Sequence, residues 1–345
     1  MNPWVVSEYP EGVRLLRAAE CQPQAVQWLW KYWLPRAAIS IVAGMPGTGK
    51  TTLALSLASV VSGAGSWPDG TECEEPGNVV IWSGEDDIQA TLLPRLIAMG
   101  ADRDRIHFVT QIHDRGRFRE FDPGTDIRQL MLKIGEIGGA RLVIIDPIMS
   151  AVSGDAHRAN EVRRDLHDLV VLARSNVSVL GISHFSKSGG KVAQNPLDRV
   201  IGSQAFAALA RVVLVTARRS DADGRVLARA KNNLGPDGGG FEYTVEPLVI
   251  PPCIETSRVI WGDAVDGDAQ EILAQVEQAT RLPSRMEEAK EFLTGTLTGH
   301  DRLPSARILE LAAAAGHSVS TVNRAKVELQ IRAEKDGNGG WYWRL

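Results

Sequence analysis

The chain has 345 residues, 44% of them hydrophobic and 23% charged, with a net charge of −4. That length predicts a large domain and a small one, and the mild acidity excludes a global basic field, so any nucleic-acid contact must be local. The three cysteines (Cys21, Cys73 and Cys253) are scattered without zinc spacing, the pattern of a reduced cytoplasmic protein, and no run of about eighteen apolar residues predicts a membrane span.

The first residues, MNPWVVSEYPEG, carry acids and no basic-then-apolar order, so no signal peptide is expected. Residues 1–36, with Trp4, Trp28, Trp30 and Trp33, are expected to pack on the core or on an adjacent subunit. Ile39–Ala43 is apolar and β-branched, as a buried parallel strand should be. It runs into Gly44, Met45, Pro46, Gly47, Thr48, Gly49, Lys50, Thr51 and Thr52, which fit the phosphate-loop spacing GxxxxGK[ST]. Glycines let backbone N–H groups close around phosphate oxygens. A helix over Thr52–Ser62 would add its N-terminal dipole. Lys50 would bring charge to the outer phosphates, and the Thr51 hydroxyl would ligate Mg²⁺. ATP and Mg²⁺ are the expected cofactors.

A second strand, Asn78–Ser83, ends in Gly84-Glu85-Asp86-Asp87. An acid just past a strand's carboxyl end faces the ligand edge of a parallel sheet. Glu85 is therefore the candidate base for an attacking water, while Asp86 and Asp87 suit a helix N-cap better. A short strand at Ile106–Val109 and an amphipathic helix at Thr125–Ile137 follow. Arg141–Ile145 is a fourth strand with Asp146 directly after it, the placement of a Mg²⁺-holding carboxylate. Asn160–Ser175 reads as a helix, and Val177–Ser183 as a fifth strand closed by His184, a candidate sensor near the γ-phosphate.

The segment after His184 has glycines, no apolar period, and Lys187, Lys191 and Arg199. It reads either as a nucleic-acid loop or as a plain crossover. A short helix at Gly202–Ala210 precedes a hairpin, Arg211–Ala217 and Arg225–Lys231. Residues 263–283 read as an acidic linker. Met286–Thr294, Ser305–Ala315 and Ser318–Leu329 are predicted helices, the last two a helix-turn-helix with Ser318 or Ser320 as N-cap. Asp336–Arg344 reads as a wing. This small domain would use Arg324 and Lys326 to read duplex DNA, or would dock a protein.

The landmarks stand in one order: phosphate loop, Glu85 after strand two, Asp146 after strand four, His184 after strand five. With "WLPRAAISIVAGMPGTGKTTLAL", "VVIWSGEDD", "LVIIDPIMS", "GISHFSKS" and "RVIGSQAFAALARVVL" the chain resembles RecA-type ATPases, not the AAA+ plan, in which a catalytic acid would follow Asp146 where Pro147 stands. Within them it is similar to the hexameric replicative helicases of plasmids and phages, the RepA type, over Trp30 to Pro247. The resemblance implies an α/β fold: a RecA-like, doubly wound, mostly parallel sheet with helices on both faces. A small C-terminal winged helix-turn-helix domain would follow it. The expected boundaries are 37–262 for the ATPase domain, 263–283 for the linker and 284–345 for the winged domain.

It further implies a ring-forming ATPase that moves single-stranded DNA, assembled as a homo-oligomer, a hexamer, and completed by a basic finger from the neighbouring subunit. Arg211, Arg229 and Lys231 are the candidates for that finger. Lys231 stands where the broader helicase group commonly has Arg. The alternative reading is a DNA-bound regulatory or recombination ATPase that uses ATP as an assembly switch.

Overall fold

The computed structural model describes residues 13, 15–114, 116–152, 154, 159–186, 195–200, 206, 208–218, 224–278, 285–336 and 340–344. The chain divides into two units, Met1–Ala279 and Thr280–Leu345.

The first unit is built on nine strands: β1 (Ala38–Gly44), β2 (Val79–Ser83), β3 (Ile106–Phe108), β4 (Leu142–Asp146), β5 (Ser178–His184), β6 (Val212–Arg218), β7 (Arg225–Asn232), β8 (Gly240–Ile250) and β9 (Ile254–Val265). They form one sheet in the order β9-β8-β7-β6-β1-β5-β4-β2-β3. The strands from β6 to β3 pair in parallel; β7, β8 and β9 are added antiparallel at the β6 side. Every residue of β1 is buried, which is why it is apolar but for Ser40 rather than alternating. Strand β5 lies between β1 and the Asp146 strand, β4. All the ligand-facing ends therefore share one edge of the sheet.

The helices cover both faces, because each strand sends alternate side chains to opposite sides. On one face Val42, Ile81, Ile144, Ile182 and Leu214 pack with α1 (Lys50–Gly63) and α2 (Leu93–Ala98). On the other, Ile41, Val80, Val143, Val179 and Val213 pack with α3 (Ile127–Glu136), α4 (Ala159–Asp165), α5 (His167–Arg174) and α6 (Ala269–Gln278). Truncating a fully buried leucine such as Leu57 to alanine should cost about 2–5 kcal/mol. The helix expected over Asn160–Ser175 is two helices, α4 and α5, with Leu166 between them.

The segments at the two ends of this unit both pack into it. Trp28–Trp30 and Leu34–Pro35 form a small antiparallel pair. Trp30 is fully buried, stacked on Trp33 and Trp67, and donates its indole N–H to Asp69 at 2.9 Å. This tryptophan cluster, Trp30, Trp33 and Trp67, belongs to the first unit's own core. Residues 263–278 are not a linker either. They finish β9 and form α6, whose Ala269, Ile272 and Leu273 are buried against the sheet. A separate hairpin pairs Gln111–Asp114 with Arg117–Glu120.

The second unit contains α7 (Arg285–Leu297), β10 (Leu303–Pro304), α8 (Ser305–Ala314), α9 (Val319–Glu328), β11 (Arg332–Lys335) and β12 (Trp341–Arg344). Its sheet is antiparallel, in the order β10-β12-β11. Ser318 caps α9, accepting the Thr321 N–H at 3.2 Å. Leu293, Ile308, Val322 and Trp343 make a core of their own. Among the described residues no helix is long and apolar enough to cross a membrane.

Candidate nucleotide-hydrolysis site

The carboxyl edge of the parallel strands gathers the site. Gly44, the last residue of β1, pairs with His184 at the end of β5 and with Thr216 in β6. Ser83, at the end of β2, pairs with Asp146 at the end of β4. Between β1 and α1 the chain turns through Gly47 and Gly49, both at φ near +80°, a region open to glycine at little cost. Gly44 has no room for a side chain: a Cβ there would meet Thr216 Oγ1 at 2.2 Å.

Lys50 opens α1 and is buried. Its Nζ donates to the carbonyls of Gly44 and Met45, at 3.0 and 3.1 Å, and so spans the loop from within. Burial lowers its pKa, opposed by the charges of Asp146 and Glu85. Met45, Pro46 and Gly47 are exposed at the loop's crest. Thr51 follows on the first turn and donates its hydroxyl to Asp146 Oδ2 at 2.7 Å. Thr52 is buried under the helix.

Asp146 is 2% exposed. Burial pushes its pKa up to about 6; the Thr51 hydrogen bond and Lys50 oppose the shift, while Glu85 and Asp86 add to it. A buried carboxylate that favours its proton, beside a hydroxyl, is a hard-oxygen pair suited to a divalent cation. Thr51 and Asp146 thus fit the Mg²⁺ that accompanies a nucleotide.

Glu85 faces the same edge from the turn after β2. Its backbone N–H and that of Asp86 donate to Ser83 Oγ, at 3.3 and 3.0 Å, which fixes the turn. The three acids divide, and only Asp87 takes the cap position expected of both aspartates. Asp87 caps the helical turn Ile88–Leu92, accepting the Ala90 N–H, and Asp86 pairs with Arg95 at 3.3 Å. Glu85 instead points to His184, with Oε1 3.7 Å from Nε2. Burial lowers the His184 pKa and the Lys50 charge adds to that, against Glu85; the imidazole is held neutral. His184 Nδ1 has no partner among the described residues.

The basic candidates separate. Arg211 is exposed at the start of β6, its N–H bonded to the Ile39 carbonyl. That is five residues back from Gly44 along β1, about 16 Å at strand rise. Lys231 pairs in register with Val213 and donates to the Ala210 carbonyl at 2.8 Å, on the same remote edge. Neither belongs to this chain's own phosphate loop. Arg229 is placed differently from the other two. It is 8% exposed, lies 4.5 Å over the Trp33 ring and donates to the Tyr32 carbonyl; it is a packing residue of the tryptophan cluster.

Arg199 is paired within the chain. It makes a two-pronged ion pair with Glu277 of α6, at 3.0 and 2.7 Å, and stacks 4.4 Å over Phe185. Its charge is neutralised inside the fold. Lys187 and Lys191 lie outside the described residues. In the second unit Arg324 is exposed on α9, and Lys326 sits 4.6 Å over the Trp343 ring. An open cavity of about 1080 Å³, lined by Arg36, Gly77, Arg105, Met131 and Arg141, lies at the opposite edge of the sheet, far from this chemistry.

Two residues of the site escaped the sequence. Thr216 donates to Thr48 Oγ1 at 2.8 Å, and Tyr243 donates to the Thr48 carbonyl at 2.7 Å. Both come from the β6–β8 side, 168 and 195 residues downstream of Thr48, where no local motif marks them.

A phosphate loop on β1, an Mg²⁺-fitting pair on α1 and β4, and an acid after β2 meet at one edge of the parallel strands, the layout of a P-loop nucleotide site. The AAA_25 family, described as an AAA domain, matches residues 8–190, and the chain belongs to it. The acid that faces His184 comes from the β2 turn and not from beside Asp146. No curated protein matches the sequence significantly. Among solved structures, the crystal structure of the RadB recombinase aligns with a TM-score of 0.42 and 16% identity, over 62% of this chain and 89% of that one. A second solved structure, an ATPase domain, aligns with a TM-score of 0.42 and 19% identity, over 61% of this chain and 82% of that one.

Proposed function

We propose that the protein is an ATP-hydrolysing, ring-forming motor on single-stranded DNA, a replicative helicase of a mobile genetic element. The observation that carries this reading is the Glu85–His184 contact at 3.7 Å. It ties the acid that would take the proton of the attacking water to the residue that leads straight into the segment bearing Lys187 and Lys191.

In this reading Lys50 and the loop N–H groups bind the phosphates, and Thr51 and Asp146 hold Mg²⁺. The ion, when bound, neutralises charge on the phosphate oxygens. Glu85 orients the water and accepts its proton. His184, neutral and half-buried, passes the change at Glu85 to Lys187 and Lys191, which track the DNA backbone. Arg211 and Lys231, on the remote edge, serve the phosphates of a neighbouring copy in a hexamer. The terminal unit's element order supports a winged helix, with Arg324 beside Lys326 available to duplex DNA or a replication protein.

The second reading, a DNA-bound regulatory or recombination ATPase, is favoured by one observation: Arg199 is locked to Glu277, which leaves the loop fewer charges. Strand displacement by the full chain on a forked duplex, with ATP and Mg²⁺, separates the two. ATP-dependent displacement supports the motor. DNA-stimulated hydrolysis without displacement supports the regulator, and no hydrolysis at all overturns both.

A further inference from the structure

The Thr48–Gly49 peptide turns about two bonds, ψ of Thr48 and φ of Gly49. Gly49 sits at φ 83°, where glycine moves freely. On that side nothing in the backbone stops the peptide from turning over, so Thr48 must hold it. The group is planar and trans, so its C=O and N–H point in opposite directions. Turning it over would exchange a phosphate-binding N–H for a carbonyl, which repels phosphate.

Two side chains oppose that rotation. Tyr243, 1% exposed on β8, donates its phenol to the Thr48 carbonyl at 2.7 Å. Thr216 on β6 donates to Thr48 Oγ1 at 2.8 Å, and Thr48 Oγ1 donates on to the Met45 carbonyl at 2.9 Å. Thr48 itself is 2% exposed. With the carbonyl held toward β8, the Gly49 N–H must point the other way. The same strand also closes the back of the loop: a Cβ on Gly49 would meet Val245, two residues beyond Tyr243, at 3.1 Å.

We infer that Tyr243 and Thr216 are positioning residues for nucleotide binding: they hold the Thr48–Gly49 peptide in its phosphate-facing orientation. This gives the antiparallel extension of the sheet a task in the reaction. It rests on the ATP-hydrolysing reading proposed above.

Tyr243→Phe removes one oxygen and leaves the ring in place. Binding of a fluorescent ATP analogue and steady-state hydrolysis are measured on the full chain, with thermal melting alongside. Binding should weaken about tenfold, the scale of a buried acceptor left unpaired. KM should rise by a similar factor, with kcat changed less. Thr216→Val should raise KM in the same direction, and Thr216→Ser, which restores the hydroxyl, should recover it. A wild-type KM and affinity in Tyr243→Phe, whatever its melting temperature, overturn the inference. So does a Thr216→Ser variant as impaired as Thr216→Val. A wild-type chain that binds no nucleotide overturns the ATPase reading itself and takes this inference with it.

Discussion

The Thr51 hydroxyl and the Asp146 carboxylate meet at 2.7 Å, one from the first turn of α1 and the other from the end of β4. The pair is built at a cost, because Asp146 is buried near two other acids. Its folded pKa, about 6, lies above the ordinary 3.8. The folded chain therefore holds this proton more tightly than the unfolded chain between those values. The contribution to stability is complete below pH 3.8 and is lost as pH rises to about 6. In chelator, Asp146→Asn should be more stable than wild type at about pH 7.5, by up to about 3 kcal/mol. The advantage should shrink as pH falls through about 6 toward about 4. Urea denaturation of both proteins across that range checks it; a pH-independent difference would contradict it. The variant should also lose hydrolysis.

Lys50→Ala should abolish hydrolysis and weaken nucleotide binding, because it removes the charge that spans the loop. A turnover assay decides this. Wild-type rates in the variant would end the phosphate-loop reading.

Glu85→Gln should keep nucleotide binding while hydrolysis falls at least ~100-fold, the range for a lost general base. Asp86→Asn is the control. It breaks the part-exposed pair with Arg95, worth about 0–1 kcal/mol, and removes one of the two acids that raise the Asp146 pKa. If Asp86→Asn is the harsher change in turnover, the base is misassigned.

Arg211→Ala and Lys231→Ala should leave nucleotide binding largely intact and lower turnover of the assembly. Mixing either with Lys50→Ala should restore part of the activity, since one variant supplies the finger and the other the phosphate loop. Mixtures no more active than their parts would count against a shared site.

Lys187→Ala combined with Lys191→Ala should reduce DNA-stimulated hydrolysis and flatten the salt dependence of single-strand binding. Arg199→Ala should behave differently. It leaves Glu277 unpaired in a part-buried setting, so it should cost about 2 kcal/mol of stability and leave the salt slope unchanged. Deleting residues 281–345 should spare the stimulation. If the deletion removes it and the double lysine variant retains it, the regulator is the better reading.

The site's centre was legible because its signals are local. Strand, glycines, lysine and threonine are contiguous at Ile39–Thr51, and Glu85, Asp146 and His184 each stand at or within two residues of an apolar strand's end. What failed was long-range or chemically ambiguous. An arginine in a basic segment reads the same whether it meets DNA or, like Arg199, a glutamate 78 residues away. Arg229 sits on an apolar strand, and only the fold shows that Trp33 covers it. The polar, acidic look of residues 263–278 hid an amphipathic helix, since Ala269, Ile272 and Leu273 make a short apolar stripe. Thr216 and Tyr243 had no local signature at all.

Arg211 and Gly44 stand at opposite ends of neighbouring strands, β6 and β1. If a subunit's finger serves the next subunit's loop, the contact is head-to-tail, and its geometry decides between a closed ring and an open string. A lone subunit then has no complete site, an open string always leaves one terminal loop unserved, and only closure makes every loop whole. Activity per subunit would then rise with concentration and level off at closure, making the rate itself a gauge of whether the circle is shut.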